Sequence, residues 1–402
     1  METKQLIEKF EHQSFEPGEF GHQEHLKVAW FYVTNESLPI AKQKFHQAIE
    51  KLVIKFAAED KYHRTLTDFF LDYLQQIKWF LQTNEWDEVE RNCPLLIQDA
   101  KKLVSYYYSQ ELLDSEHARC DFVEADIMLL DRASLILTDK PVPVYHCIER
   151  RSPVIVSMPH HGQFIPHDVL NTMLPSAIDS ADTDWYLVQL YNCLDTLGIT
   201  CINANYSRYL IDLNRDSSGA VLYANADNTE LCPTSTFDLE PLYGKGMQPN
   251  AQEINRRVEH YWRPYHNKLE QLIATAKQEF GFAILFEAHS IQSKVPRFFS
   301  GRLPDFNLGT NDGKTVNHTL DQLLQDFNTG EFSKIINGRF KGGFITRHYA
   351  DPDNHIFTIQ LELSQATYLN EKHRLFDAKQ ARVVQQKLKT LLENVKETVI
   401  NA

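Results

Sequence analysis

Residues 152–166 read SPVIVSMPHHGQFIP, and residues 282–290 read FAILFEAHS. Each contains a short, continuously apolar run that leads into histidine. Such a run is expected of a strand in a parallel sheet whose two faces are both covered by helices. Three more runs share this texture: GITCINANY at 198–206, RYLIDLN at 208–214 and FTIQLELSQ at 357–365. Between them, DWYLVQLYNCLDTL at 184–197 and the span 251–280 carry helical periodicity, the latter with Pro264 as an expected kink. A last amphipathic helix is expected over 370–399. Strands alternating with helices predict an α/β fold, a three-layer sandwich around a mixed, mostly parallel central sheet.

Upstream the texture changes. From Met1 to about Leu130, apolar residues recur three and four positions apart, as in Leu26, Ala29, Trp30 and Val33, or Phe70, Tyr73, Leu74 and Ile77. That spacing predicts an all-helical domain of four to six helices. The stretch LLDRASLILTDKPVPV at 129–144, with two prolines, reads as a crossing between domains. The boundary is placed near residue 138, giving a helical domain over 1–138 and an α/β domain over 139–402.

Composition narrows the partners. The 402 residues include 41 Lys and Arg against 54 Asp and Glu, for a formal net charge of -13. An acidic surface disfavours nucleic acid and anionic membranes as partners, so an anionic small molecule must be met by a local basic pocket. No apolar run approaches the roughly 20 residues of a membrane span, and METKQLIEKFEHQ lacks the apolar core of a signal peptide. A cytoplasmic protein is the expectation. Six scattered cysteines without CxxC pairing indicate neither a disulfide framework nor a zinc-thiolate site. The oligomeric state is not indicated.

Ligands of open α/β sheets gather at the carboxyl ends of strands. There, His160, His161 and Gly162 follow the first run, and His289 and Ser290 close the second. Asp212, Leu213, Asn214 and Arg215 follow YLI, and Glu362 interrupts an otherwise apolar strand. Two histidines and a carboxylate leave a fourth position for water, the arrangement of a catalytic zinc site. Such a metal brings its water's pKa to about 7 and polarises an amide carbonyl. A separate carboxylate must then take the proton, and Glu362 suits that task.

Taken singly, each residue has a plainer reading. A strand-end histidine is commonly satisfied by backbone groups. Asp182 and Asp184 precede the helix expected near Trp185, so N-capping competes with coordination. Glu362 would serve equally as partner to a buried arginine. Arg208, Arg215, Arg339 and Arg347 near turns of an acidic chain invite a carboxylate-binding pocket, because a guanidinium grips a carboxylate bidentately.

The longer motifs carry a resemblance. VSMPHHGQFIP, DTDWYLVQLY, YSRYLIDLNRD, LCPTSTFDLEPLY, YWRPYH, EAHSI, GRLPDFNLGTNDG, NGRFKGGFITRHY and QLELSQATYL occur in that order across residues 141–370. This half resembles the N-formylglutamate amidohydrolases, the deformylases of a bacterial histidine-degradation route, which are similar in turn to zinc carboxypeptidases and aspartoacylases. The resemblance implies zinc on His160 and His289, with Glu362 as general base. It also implies a substrate carboxylate held by Asn214 and Arg215. Relatives of the carboxypeptidase type take their carboxylate ligand from an HxxE motif, where this chain has Gln163, so the third ligand is assigned to Asp184. His161 also departs from the family's usual small residue. Arg208 is expected to act in catalysis beside the metal, and Arg347 and His348 to bind a second carboxylate. The expected reaction is metal-dependent removal of formyl from N-formyl-L-glutamate. The alternatives are hydrolysis of another N-acyl amino acid or short peptide, or a catalytically idle binding module.

The helical half has its own polar cluster: His22, His25, His63, Thr65 and Thr67. Capping and packing of helix ends is the expected role, with a second metal or regulatory site as the alternative.

Overall fold

The computed structural model describes residues 3–128, 130, 135–138, 142–178, 180–220, 227–372 and 374–398. Much of the predicted crossing between domains, at 129, 131–134 and 139–141, therefore lies outside the described residues, as does Val399. The chain divides into two compact units, Met1–Pro141 and Val142–Ala402.

In the first unit, four helices cover Thr3–Glu11, His22–Asn35, Leu38–Lys55 and Arg64–Leu81, and five short ones follow between Trp86 and Cys120. The chain breaks into more pieces than the periodicity predicted because caps recur. The side chains of Asp99, Ser109 and Ser115 each accept a backbone N–H at a new helix start, and Pro94 opens another helix. The predicted apolar stripes are buried: Leu26, Ala29, Val33, Tyr73, Leu74 and Ile77 meet Phe10, Phe45 and Leu103 in one core.

The second unit is built on a seven-stranded mixed sheet with helices on both sides. Its strands are β1 (Tyr145–Ile148), β2 (Val154–Met158), β3 (Thr200–Ala204), β4 (Ala283–Ile291), β5 (Phe306–Gly309), β6 (Lys334–Ile336) and β7 (Ile356–Ser364). The order is β1-β3-β2-β4-β7-β5-β6. The central strands β3, β2, β4 and β7 are parallel neighbours, while β1 and β5 pair antiparallel with β3 and β7. All of β2 and β4 is buried, which is why their sequences read as unbroken apolar runs.

One run misled. RYLIDLN is buried throughout but forms turns instead of a strand. Leu210 N–H donates to Ser207, Asp212 N–H to Leu231, and Arg215 N–H to Asp212, bonds made within turns and to another loop in place of a sheet partner. Residues 251–280 are helical as expected, with a π-helical turn at Val258–Trp262 ahead of Pro264, where the missing proline N–H disrupts regular bonding. Residues 184–197 hold two short helices, Leu187–Leu190 and Cys193–Leu197. All six cysteines are unpaired. Among the described residues, no helix is long and apolar enough to cross a membrane.

Candidate metal centre and its surroundings

The site grows from the ends of adjacent parallel strands. Along a strand, alternate side chains share a face, so Glu287 and His289 of β4 project to the same side. The β4–β7 register sets His289 opposite Glu362, and Glu287 opposite Gln360. β2 ends at Met158, and the chain then turns through Pro159 into His160. Asp184 N–H donates to the carbonyl of His160 at 3.1 Å, which ties the loop bearing the acid to the loop bearing the histidine.

His160, Asp184 and His289 are all buried, and one ligand atom from each lies within 4.8 Å of the others. The Nδ1 atoms of His289 and His160 stand 2.9 and 3.8 Å from the same oxygen, Oδ2 of Asp184. On the far side of each ring, Nε2–H donates to a buried carboxylate: His160 to Asp212 Oδ1 at 2.7 Å and His289 to Glu287 Oε1 at 2.7 Å. Metal-binding histidines are oriented in this way, with one nitrogen held by an acceptor and the other free for the ion.

Charge favours a cation at this point. Three buried carboxylates, Asp184, Asp212 and Glu287, gather near the buried guanidinium of Arg208. Its Nη2 donates to Asp212 Oδ2 at 2.8 Å, and its Nη1 lies 3.9 Å from Asp184. Burial opposes ionisation of Asp212, yet the His160 ring and Arg208 outweigh it and hold its pKa well below the usual carboxylate range. Burial, reinforced by Arg208, keeps His160 neutral, as a metal ligand must be. Burial also disfavours an imidazolium at His289, but the carboxylates of Glu287 and Asp184 win and raise its pKa well above the ordinary value. A donor set of two imidazoles and one carboxylate, in a pocket of excess negative charge, fits a zinc-type divalent ion.

A cavity opens beside these residues. Glu362, Arg208, Arg215 and Asn214 line it, together with Arg339, Phe237, Phe298, Phe340 and Gln360. Burial pushes the carboxyl of Glu362 well above its ordinary pKa; Asp184 acts in the same direction, and His289 and Arg208 oppose it. Arg215 is fixed by its donors: Nε and Nη2 bond Thr229 O and Oγ1 at 3.1 and 2.8 Å, and Nη1 bonds the carbonyl of Asn214 at 3.0 Å. The Asn214 amide, expected on substrate, lines the cavity, and its oxygen is held by the protein. Its Oδ1 accepts Ile345 N–H at 2.9 Å, and its Nδ2 lies 3.1 Å from His289 Nε2.

Arg347 and His348, expected at a second carboxylate, do not line this cavity. Both lie on the helix Phe344–His348, where residue 348 is turned roughly 200° from residue 346. The ring of His348 stacks on Phe344 at 4.7 Å and lines a different surface cavity with Glu270 and Lys277. Arg347 Nε donates to Gly342 O. Arg339 occupies the cavity in their stead, its guanidinium 5.7 and 5.5 Å from the rings of Phe298 and Phe340.

Gln163 is buried, and neither side-chain polar atom has a hydrogen-bond partner among the described residues. It does not line the cavity. Burial lowers the pKa of neighbouring His161 to about 4, so that ring is neutral near pH 7. Asp182, the other candidate at the helix start, accepts Phe237 N–H at 2.8 Å and is not part of the ligand cluster.

Two participants escaped the sequence reading, Glu287 and the buttressing part of Asp212. The signal for Glu287 was its spacing of two from His289 on a strand. In the helical unit, His22 Nε2 bonds Leu96 O, and His63 caps the helix beginning at Arg64. His25 stacks on Phe45, Thr65 bonds Asp121 O, and Thr67 bonds His63 O. These groups cap and pack, and among the described residues no second ligand cluster forms.

Comparison with known proteins supplies the wider setting. Residues 152–369 match the family described as N-formylglutamate amidohydrolase. A protein of Pseudomonas aeruginosa named N-formylglutamate deformylase is 42% identical over 248 residues, 61% of this chain and 93% of that relative. One of Pseudomonas putida with the same name is 45% identical over 224 residues, 55% of this chain and 83% of the relative. The crystal structure of N-formylglutamate amidohydrolase from Ralstonia eutropha JMP134 superposes with a TM-score of 0.55 at 23% identity, covering 65% of this chain and all of that one, a likeness of fold.

Proposed function

The chain belongs to the N-formylglutamate amidohydrolase family, and on that footing we propose that it hydrolyses N-formyl-L-glutamate to formate and L-glutamate with a divalent metal, zinc, at the centre. One observation carries the reading: His160, Asp184 and His289 converge, beside Glu362, within residues 152–369, the span that matches the N-formylglutamate amidohydrolase family.

His160, Asp184 and His289 would hold the ion. Once bound, it supplies Lewis-acid polarisation of the formyl oxygen and acidifies water. Glu362 is the general base. It takes a proton from the attacking water as the new C–O bond forms at the formyl carbon, and returns it to the amide nitrogen as the C–N bond breaks. Burial keeps Glu362 basic enough to accept that proton.

Arg215 anchors a substrate carboxylate. Three of its five N–H groups are used to hold the guanidinium still, leaving two for a bidentate grip. Asn214 contributes by fixing the backbone beside it. Arg208, already paired with Asp212, brings positive charge to the same wall, where an oxyanion donor is typically worth a few kcal/mol. The aromatic wall of Phe237, Phe298 and Phe340 excludes water around the amide.

The test is formate release from N-formyl-L-glutamate with metal content measured on the same sample. Expected are turnover and one divalent ion per chain, with N-acetyl-L-glutamate and short peptides hydrolysed far more slowly. A metal-replete protein that cleaves those and spares the formyl substrate would reassign the substrate class.

A further inference from the structure

The segment Gly342–Thr346 belongs to the motif NGRFKGGFITRHY, whose Arg347 and His348 turn away from the cavity. Its first half does not. Thr346 is fully buried, and its hydroxyl donates to Glu287 Oε2, while Glu287 Oε1 accepts Nε2–H of His289 at 2.7 Å. The carbonyl of Thr346 is held in turn by the Thr358 hydroxyl of β7 at 2.5 Å. One residue away, Ile345 N–H fixes the Asn214 amide, whose Nδ2 is 3.1 Å from the same His289 nitrogen.

The two glycines make this approach possible. A Cβ on Gly343 would stand 2.3 Å from Asn214 Nδ2, and one on Gly342 would stand 2.7 Å from Thr346 Cγ2. Gly342 also has a φ of +115°, which side chains rarely adopt. Gly343 N–H donates to Gln360 Oε1 at 2.7 Å, which ties the segment to the strand carrying Glu362.

We propose that Gly342–Thr346 is a positioning device for the metal centre, in which Thr346 orients Glu287 and Glu287 orients His289. A carboxylate held at both oxygens has one geometry. Its Oε1 locks the imidazole with Nε2 as the nitrogen that keeps its proton, so Nδ1, 2.9 Å from Asp184 Oδ2, is the nitrogen that must release its proton to take the ion, and the negative charge of Glu287 makes it a stronger donor once it has done so. Thr346 and Glu287 are positioning residues; neither lies among the residues lining the cavity.

The proposal rests on the reading that His160, Asp184 and His289 bind a divalent ion, and the experiment separates the two. Zinc affinity is measured by chelator competition for the wild type, Glu287→Gln, Thr346→Val and Thr346→Ser, with circular dichroism and the cobalt(II) absorption spectrum on each. Glu287→Gln is expected to weaken zinc binding roughly 10- to 100-fold, the usual effect of losing such a partner. Thr346→Val should weaken it less and alter the cobalt spectrum, and Thr346→Ser, which keeps the hydroxyl, should restore both. With metal saturating, KM for N-formyl-L-glutamate should stay at the wild-type value. Wild-type zinc affinity in a folded Glu287→Gln, or Thr346→Val and Thr346→Ser alike in affinity and spectrum, overturns the positioning role alone. A wild type that binds no divalent ion overturns both readings. Should Glu287→Gln fail to fold, the threonine pair decides the matter by itself.

Discussion

At the scale of single residues, the centre divides labour between two acids that differ in surroundings. Asp212 is buried between His160 and Arg208, and those partners keep it ionised. Glu362 is buried at the cavity wall without so close a cation, and its pKa rises. That contrast suits one to orient and the other to carry protons. Replacement of Glu362 by Gln is therefore expected to leave metal content unchanged while cutting kcat by a factor of about 10²–10⁴, the usual worth of a general base. The pH profile offers a second check. A base works only when deprotonated, so a raised pKa means that activity climbs with increasing pH and is lost as pH falls through the folded-state value. This limb should vanish from the residual activity of the variant. Equal turnover in the two proteins would remove Glu362 from the mechanism.

At the scale of elements, the site depends on how closely the loop after β2 approaches the loop after β3. Gly162 makes that approach possible: a Cβ there would stand 2.4 Å from the backbone carbon of Asn205 and 2.5 Å from the carbonyl oxygen of Tyr206. Backbone cannot swing aside as a long side chain can. Phe164 N–H also donates to Asn205 O at 3.0 Å, so the two loops are stitched together just beyond His160. Gly162→Ala should cost about 1–3 kcal/mol of stability in denaturant unfolding, as overpacking generally does, and lower metal affinity with it. An alanine variant with wild-type stability and metal content would show that the loops can part without disturbing the histidine. The β4–β7 pairing has the opposite character. Its nine-residue register, buried throughout β4, sets the polar row Thr358, Gln360 and Glu362 of β7 beside Glu287 and His289 of β4, and a slip of one residue would carry His289 and Glu362 to opposite faces.

At the scale of the molecule, the described parts of the two units have separate cores. Phe10, Phe45 and Leu103 belong to the first, and Ile155, Ile202, Leu285 and Leu269 to the second. All candidate site residues, and the whole of the family match at 152–369, lie in Val142–Ala402. A fragment covering that unit should release formate with the kcat and KM of the full chain. The intact protein should unfold in two calorimetric transitions, since each unit carries its own apolar core. Loss of activity in a folded fragment would instead give the helical unit a part in catalysis.

The α/β class, the positions of β2, β3, β4 and β7 and the residues at their ends were legible in the chain, because burial on both faces leaves a local apolar signature and strand-end polar groups interrupt it. RYLIDLN shows the limit of that signature: burial marks a segment as interior, and only its neighbours decide whether its backbone pairs as strand or turns. Glu287 was half legible, two residues from His289 on a strand. Thr346, 59 residues distant from Glu287, was not, and neither was the turning of Arg347 and His348 away from the cavity. Local periodicity records which face an element buries. Which polar groups then meet across that face depends on register, crossover and helix rotation, and these exist only once the elements have packed.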